Sequence, residues 1–178
     1  MSVYLKKITM ASVLSAFSVI AFLIEGLFPP LIIPGARMGI SNVFILFAVL
    51  LLGFEYGYAI LVVKILLGSL FSGNISAVIY SLPAGIFSLS VEILLIYFTK
   101  KVSIVATSIV GATINILLQN LTFCLVTNNI EYLIYSPYLA LLGVLAGLIV
   151  GLTIYFIIKI IPFNLIKKLQ IYDGGKDS

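Results

Sequence analysis

The chain has 178 residues, 62% of them hydrophobic and 9% charged, against roughly 25% charged in a typical water-soluble domain. Its mean hydropathy of +1.29 is more than a water-soluble packing can hide, and at roughly 20 apolar residues per span the length leaves no room for a separate catalytic domain. The formal net charge of +4 reads as an orientation signal, not as a nucleic-acid surface.

Breaks at polar residues, Gly and Pro predict spans near 8–28, 38–54, 57–73, 76–98, 102–126 and 137–161. The expected fold class is therefore an all-α integral membrane protein, a six-transmembrane-helix bundle. Residues 1–7 form a cytoplasmic N-terminus, 8–161 the membrane domain and 162–178 a cytoplasmic tail. Lys6, Lys7, Lys100, Lys101, Lys159, Lys167, Lys168 and Lys176 then share one side and only Arg37 lies in the loops opposite, so the bias of basic residues predicts both termini inside.

The first run, Ile8 to Phe28, follows two lysines as a signal peptide would. It is too long for that and has no small-x-small site before Pro29, so it reads as a retained helix. In it Ala11 with Ser15, and Ser12 with Ala16, are spaced four apart, a face suited either to a partner helix or to packing within the bundle. The loop from Pro29 to Met38 holds three prolines and is expected to be ordered but not helical.

The third span carries Lys64 and the fourth Glu92. Counted from Gly57 and from Phe98, both lie about 10 Å from the cytoplasmic edge, so an ion pair is expected that either fixes helix registry or relays a proton or substrate. Pro83, in Ser81-Leu82-Pro83-Ala84-Gly85, is expected to kink the fourth span and free a carbonyl near a pocket. In the fifth span Asn115 and Gln119 share a helical face. With Glu25, Arg37, Asn42, Tyr80, Ser81 and Tyr138 they can line an outward-facing substrate pocket; the alternative makes the tyrosines an interfacial belt and the amides helix glue. In the last span Gly143, Gly147 and Gly151 recur every four residues, a groove for another backbone.

Histidine is absent and Cys124 is the only cysteine, which removes a disulfide framework, a cysteine zinc site and the commonest haem ligand. No metal site is expected. Val110-Gly111-Ala112-Thr113 is faintly similar to covalent flavin attachment sequences, but lacks the preceding acidic residue and lies in a span.

Several segments together carry a resemblance: Pro34-Gly35-Ala36-Arg37-Met38-Gly39-Ile40-Ser41-Asn42, Lys64 to Gly73, Tyr80 to Gly85, and Gly111-Ala112-Thr113-Ile114-Asn115 with Gln119. They resemble the Gx transporter family, whose members are also labelled heptaprenyl diphosphate synthase component I and are similar to the substrate-binding S components of energy-coupling factor transporters. Two departures stand out. Lys64 replaces the family's usual Arg, keeping charge but losing the bidentate fork, and Ile114-Asn115 stands where His-Asn is common.

The resemblance implies a multi-pass subunit of a bacterial cytoplasmic membrane that captures a vitamin-, prenyl- or quinone-related solute from outside. No phosphate-loop motif occurs in the chain, so a transmembrane coupling protein and ATPases would be its partners beside membrane lipid. A second implied role is a subunit of flavin- or quinone-linked extracellular electron transfer, with a non-covalent flavin or quinone or a flavin-bearing redox partner. A third is a non-catalytic component of prenyl diphosphate synthesis. Catalysis by this chain alone is not expected, because such synthases hold Mg²⁺ with clustered aspartates and the first aspartate here is Asp173.

Overall fold

In hydrocarbon an apolar segment must satisfy its own backbone, which favours helices over every other open structure. The computed structural model describes residues 3–26, 39–98 and 102–160, and its regular elements there are all helical. Arg37, the Pro29 to Met38 loop, Lys100, Lys101 and the tail 162–178 lie outside the described residues.

The order is α1 (Val3–Glu25), α2 (Asn42–Leu52), α3 (Phe54–Phe71), α4 (Ala77–Phe98), α5 (Ile104–Thr127), a 3-10 helix (Ile130–Tyr135) and α6 (Ser136–Ile160). Five of these helices are long and apolar enough to cross a membrane, and α2 is the short one. The protein is an all-helical, membrane-spanning bundle. Lys6 and Lys7 ride on the first turns of α1, which starts at Val3, ahead of the apolar run. The helices close a ring: α1 packs on α2 and α3, α3 on α4, α4 on α5, α5 on α6, and α6 returns to α2.

α2 has 11 residues and is about 16 Å long, roughly half of a hydrocarbon core about 30 Å thick. It ends at Gly53, whose φ of 112° and ψ of 167° fall in a region that side chains other than glycine's scarcely enter. Gly53 donates its N–H to the Ala48 carbonyl, and α3 leaves at once in the opposite direction. The side chain of Val49 fills the place where a Cβ on Gly57 would project, so the two arms close tightly. This shifts two expected depths. α3 begins at Phe54, a turn before the Gly57 assumed from composition, and Asn42 opens α2 instead of lying inside a full span. Asn42 and Lys64 end up equally far from Gly53, in the middle of the bundle.

The seam between α5 and α6 explains the glycine repeat. A Cβ on Gly143, Gly147 or Gly151 would come within 2.7, 2.5 or 2.7 Å of the Cα of Thr113, Ile109 or Val105. The two backbones touch through three successive turns, so the small-residue face of α6 is spent inside the molecule. α5 is capped at both ends: the Ser103 hydroxyl accepts the Ala106 N–H at 3.1 Å, and Asn128, left-handed at φ 53°, returns its N–H to the Cys124 carbonyl.

α4 turns Tyr80, Ala84, Ser88 and Glu92 inward together with Ser81 and Gly85, all buried, while Pro83 is exposed. Two residues off the Ser81–Gly85 stripe, the proline ring lies on the outer face of an unbroken helix. Pro83 itself thus stands off the stripe that faces the pocket. Helical periodicity places it elsewhere.

Candidate functional site

The start of α2 lies inside the bundle, and its unpaired N–H groups must find acceptors there. Glu25, the last residue of α1, supplies them: its carboxylate accepts the backbone N–H of Gly39 at 3.1 Å and of Ser41 at 2.5 Å. A carboxylate at a helix N-terminus is favoured by both hydrogen bonding and the helix dipole. Gly39 takes φ 81°, which turns the chain so that its N–H faces Glu25. From below, Ser18 donates its hydroxyl to the Ser41 carbonyl at 3.1 Å, so α1 grips both ends of one peptide residue.

Across from this junction Lys64 is 5% exposed. Its ammonium donates to Asn42 Oδ1 at 2.6 Å, lies 3.5 Å from Ser41 Oγ, and stands 5.9 Å from the centre of the Phe22 ring. Gly68 makes room for that ring, which occupies the place a side chain there would take. A cation at this depth is expensive unless its donors are engaged, and an amide oxygen, a hydroxyl and an aromatic face share the task.

The far wall is built by α4 and α5. Ser81 and Gly85 face the junction from α4, and Asn115 and Gln119 from α5, with Leu61 and Ile65 of α3 as apolar flanks. Gln119 Nε2 donates to Asn115 Oδ1 at 3.3 Å, leaving one donor group and one acceptor of the amide pair for a ligand. The space between these walls is about 20 Å³, room for one water. A larger guest requires the walls to part.

Four residues named from sequence as substrate-binding, Asn42, Ser81, Asn115 and Gln119, therefore line one cavity with Lys64 and Glu25. Tyr80 is buried beside them but is not part of the cavity wall; its ring meets Phe123 edge-on at 5.9 Å. Tyr138 is 48% exposed at the start of α6, the position an interfacial belt requires. Arg37 lies outside the described residues.

Glu92 is buried on α4, its carboxylate filling the gap left by Gly111 of α5. The small residues of α1 divide between two faces. Ala11 packs on the core and Ser15 is half-buried, whereas Ser12 and Ala16 are exposed.

Two further residues had no place in the sequence reading. Asn120 is 1% exposed and donates through Nδ2 to the Tyr132 carbonyl at 3.2 Å and the Ser136 hydroxyl at 3.1 Å, pinning the 3-10 helix to α5. Its signal was an amide next to Gln119 but off the Asn115–Gln119 face. Ser69, fully buried one turn beyond Ile65, has a hydroxyl with no hydrogen-bond partner among the described residues.

The family described as heptaprenyl diphosphate synthase component I matches residues 14–157, a range that includes every residue lining the cavity. That description does not extend to the transporter subunits which the motifs resemble. No curated protein and no solved structure matches the chain.

Proposed function

The chain belongs to the heptaprenyl diphosphate synthase component I family, and from that premise we propose that it is a non-catalytic membrane subunit holding the polar head of a prenyl- or quinone-related solute at Lys64. The observation that carries this reading is the meeting of an ammonium group with the N-terminus of a half-length helix at mid-depth. Half-helix N-termini inside membranes attract anionic groups, and Lys64 adds a full positive charge.

Glu25 occupies the α2 N-terminus itself. An anionic head group entering the cavity competes with that carboxylate for the Gly39 and Ser41 N–H groups, while Lys64, Asn115 and Gln119 offer further contacts. Lys64 and Glu92 act as an electrostatic pair that holds α3 and α4 in registry. Chemistry on the head group falls to a partner, because the clustered aspartates that would hold Mg²⁺ have no counterpart before Asp173.

A second reading makes the same capture step the start of transport driven by a coupling protein and ATPases. The resemblance of the motifs favours it, and the exposed Ser12 and Ala16 offer α1 as the contact. In either case the lysine distribution supports an orientation with both termini on the cytoplasmic side.

Affinity purification from native membranes in mild detergent, with mass spectrometry of proteins and small molecules, tests the assignment. A co-purifying prenyl transferase supports the component reading, and a coupling protein with two ATPases supports transport. A flavin-bearing partner with neither would overturn both in favour of electron transfer.

A further inference from the structure

The 3-10 helix between α5 and α6 buries none of its residues, yet four of its six are large hydrophobics left open: Ile130 at 76% exposure, Leu133 at 38%, Ile134 at 79% and Tyr135 at 41%. This exposure is a fixed posture. Asn120 holds the Tyr132 carbonyl from inside, the Tyr132 ring stands edge-on to Phe123 at 5.1 Å, and the Asn129 side chain caps the Glu131 N–H at 3.1 Å.

The open residues continue an exposed apolar surface on the neighbouring helices. Leu125 and Val126 in the last turns of α5 are 72% and 56% exposed, and Tyr138 and Leu141 in the first turns of α6 are 48% and 58% exposed. Length decides what covers the segment between them. The apolar stretch Ile130–Ile160 has 31 residues, but the 25 of α6 already reach about 37 Å, beyond a core about 30 Å thick. The 3-10 helix is therefore not needed for the crossing.

We infer that Ile130–Tyr135 is an interfacial anchor, with Ile130 and Ile134 inserted at the boundary between acyl chains and head groups and Glu131 turned to water. Short apolar segments flanked by tyrosines and polar caps partition there. Through Asn120 the anchor grips α5, and so holds Asn115 and Gln119 at a fixed depth relative to the bilayer surface. The occupant of the exposed face is lipid.

The chain contains no tryptophan, so single reporters can be placed without background. Ile134→Trp and Ile130→Trp are made in the full chain and reconstituted in phosphatidylcholine vesicles, with Leu145→Trp, 52% exposed in mid-α6, as the deep control. Both interfacial reporters are expected to be quenched more by lipid brominated near the head group than by lipid brominated near the chain ends, with Leu145→Trp showing the reverse. Strong quenching by aqueous acrylamide with none by brominated lipid would overturn the inference by placing the segment in water. Resistance to both quenchers would overturn it too, by showing that protein covers this face.

Discussion

Gly147 and Ser69 show how differently two small buried residues behave. Gly147 has the α5 backbone against it, with a Cβ position 2.5 Å from Ile109 Cα and 2.6 Å from the Ser108 carbonyl oxygen. Backbone cannot rotate away as a side chain can. Gly147→Ala is therefore expected to cost about 1–3 kcal/mol through overpacking, read as a lower unfolding temperature in detergent. Gly53→Ala would act through backbone strain instead, since no atom of the described residues lies within 4 Å of its Cβ position. Ser69 presents the opposite case, a buried hydroxyl whose desolvation no partner among the described residues offsets. Ser69→Ala should leave stability unchanged or raise it, and a fall of several degrees in unfolding temperature would mean that the hydroxyl is engaged by a water or ligand.

The elements were legible to different degrees. Asn115 and Gln119 were placed on one face by spacing alone, and the structure puts both on one cavity wall. The glycine repeat of α6 likewise read correctly as a groove, although only the structure identifies α5 as what fills it. α2 was not legible as a half-length helix. Ile40 carries the apolar run past its true start, and composition cannot reveal that Gly39 turns the chain at φ 81°. Asn120 escaped for a similar reason: its partners, Tyr132 and Ser136, meet it only because a 3-10 helix folds back over the end of α5. Asn120→Ala would strand the Tyr132 carbonyl and the Ser136 hydroxyl, at a cost of about 1–3 kcal/mol. Hydrogen exchange should then rise over residues 129–136 while α3 and α4 stay protected. Uniform protection would show that the amide does not hold this element.

For the whole molecule, composition sufficed to identify a membrane bundle, since 62% hydrophobic residues leave few other solutions. The meeting of α1, α2, α3, α4 and α5 at one point did not follow from it. Depth estimated along separate spans put Asn42 with the outer polar groups and Lys64 nearer the cytoplasmic edge, whereas the short α2 arm brings the two to 2.6 Å. That convergence couples the molecule: Glu25 ties α1 to α2, Lys64 ties α3 to α2, and the amides of α5 close the space opposite. An anionic guest that displaces Glu25 loosens the grip of α1 on α2, so occupation of the cavity should reach the ring of helices as a change in packing. Protease protection or hydrogen exchange in α1 is expected to change with ligand, and an unchanged α1 would separate binding from that response.

The measurement that bears most directly on the account is equilibrium binding of heptaprenyl diphosphate to the purified chain in nanodiscs, compared among wild type, Lys64→Gln and Glu25→Gln. Saturable binding is expected for wild type, weakened about tenfold or more when the charge-assisted contact to Lys64 is lost and strengthened when Glu25 no longer competes for the α2 N-terminus. Binding that ignores both substitutions, or none in a properly folded preparation, would contradict the assignment of this cavity as the head-group site.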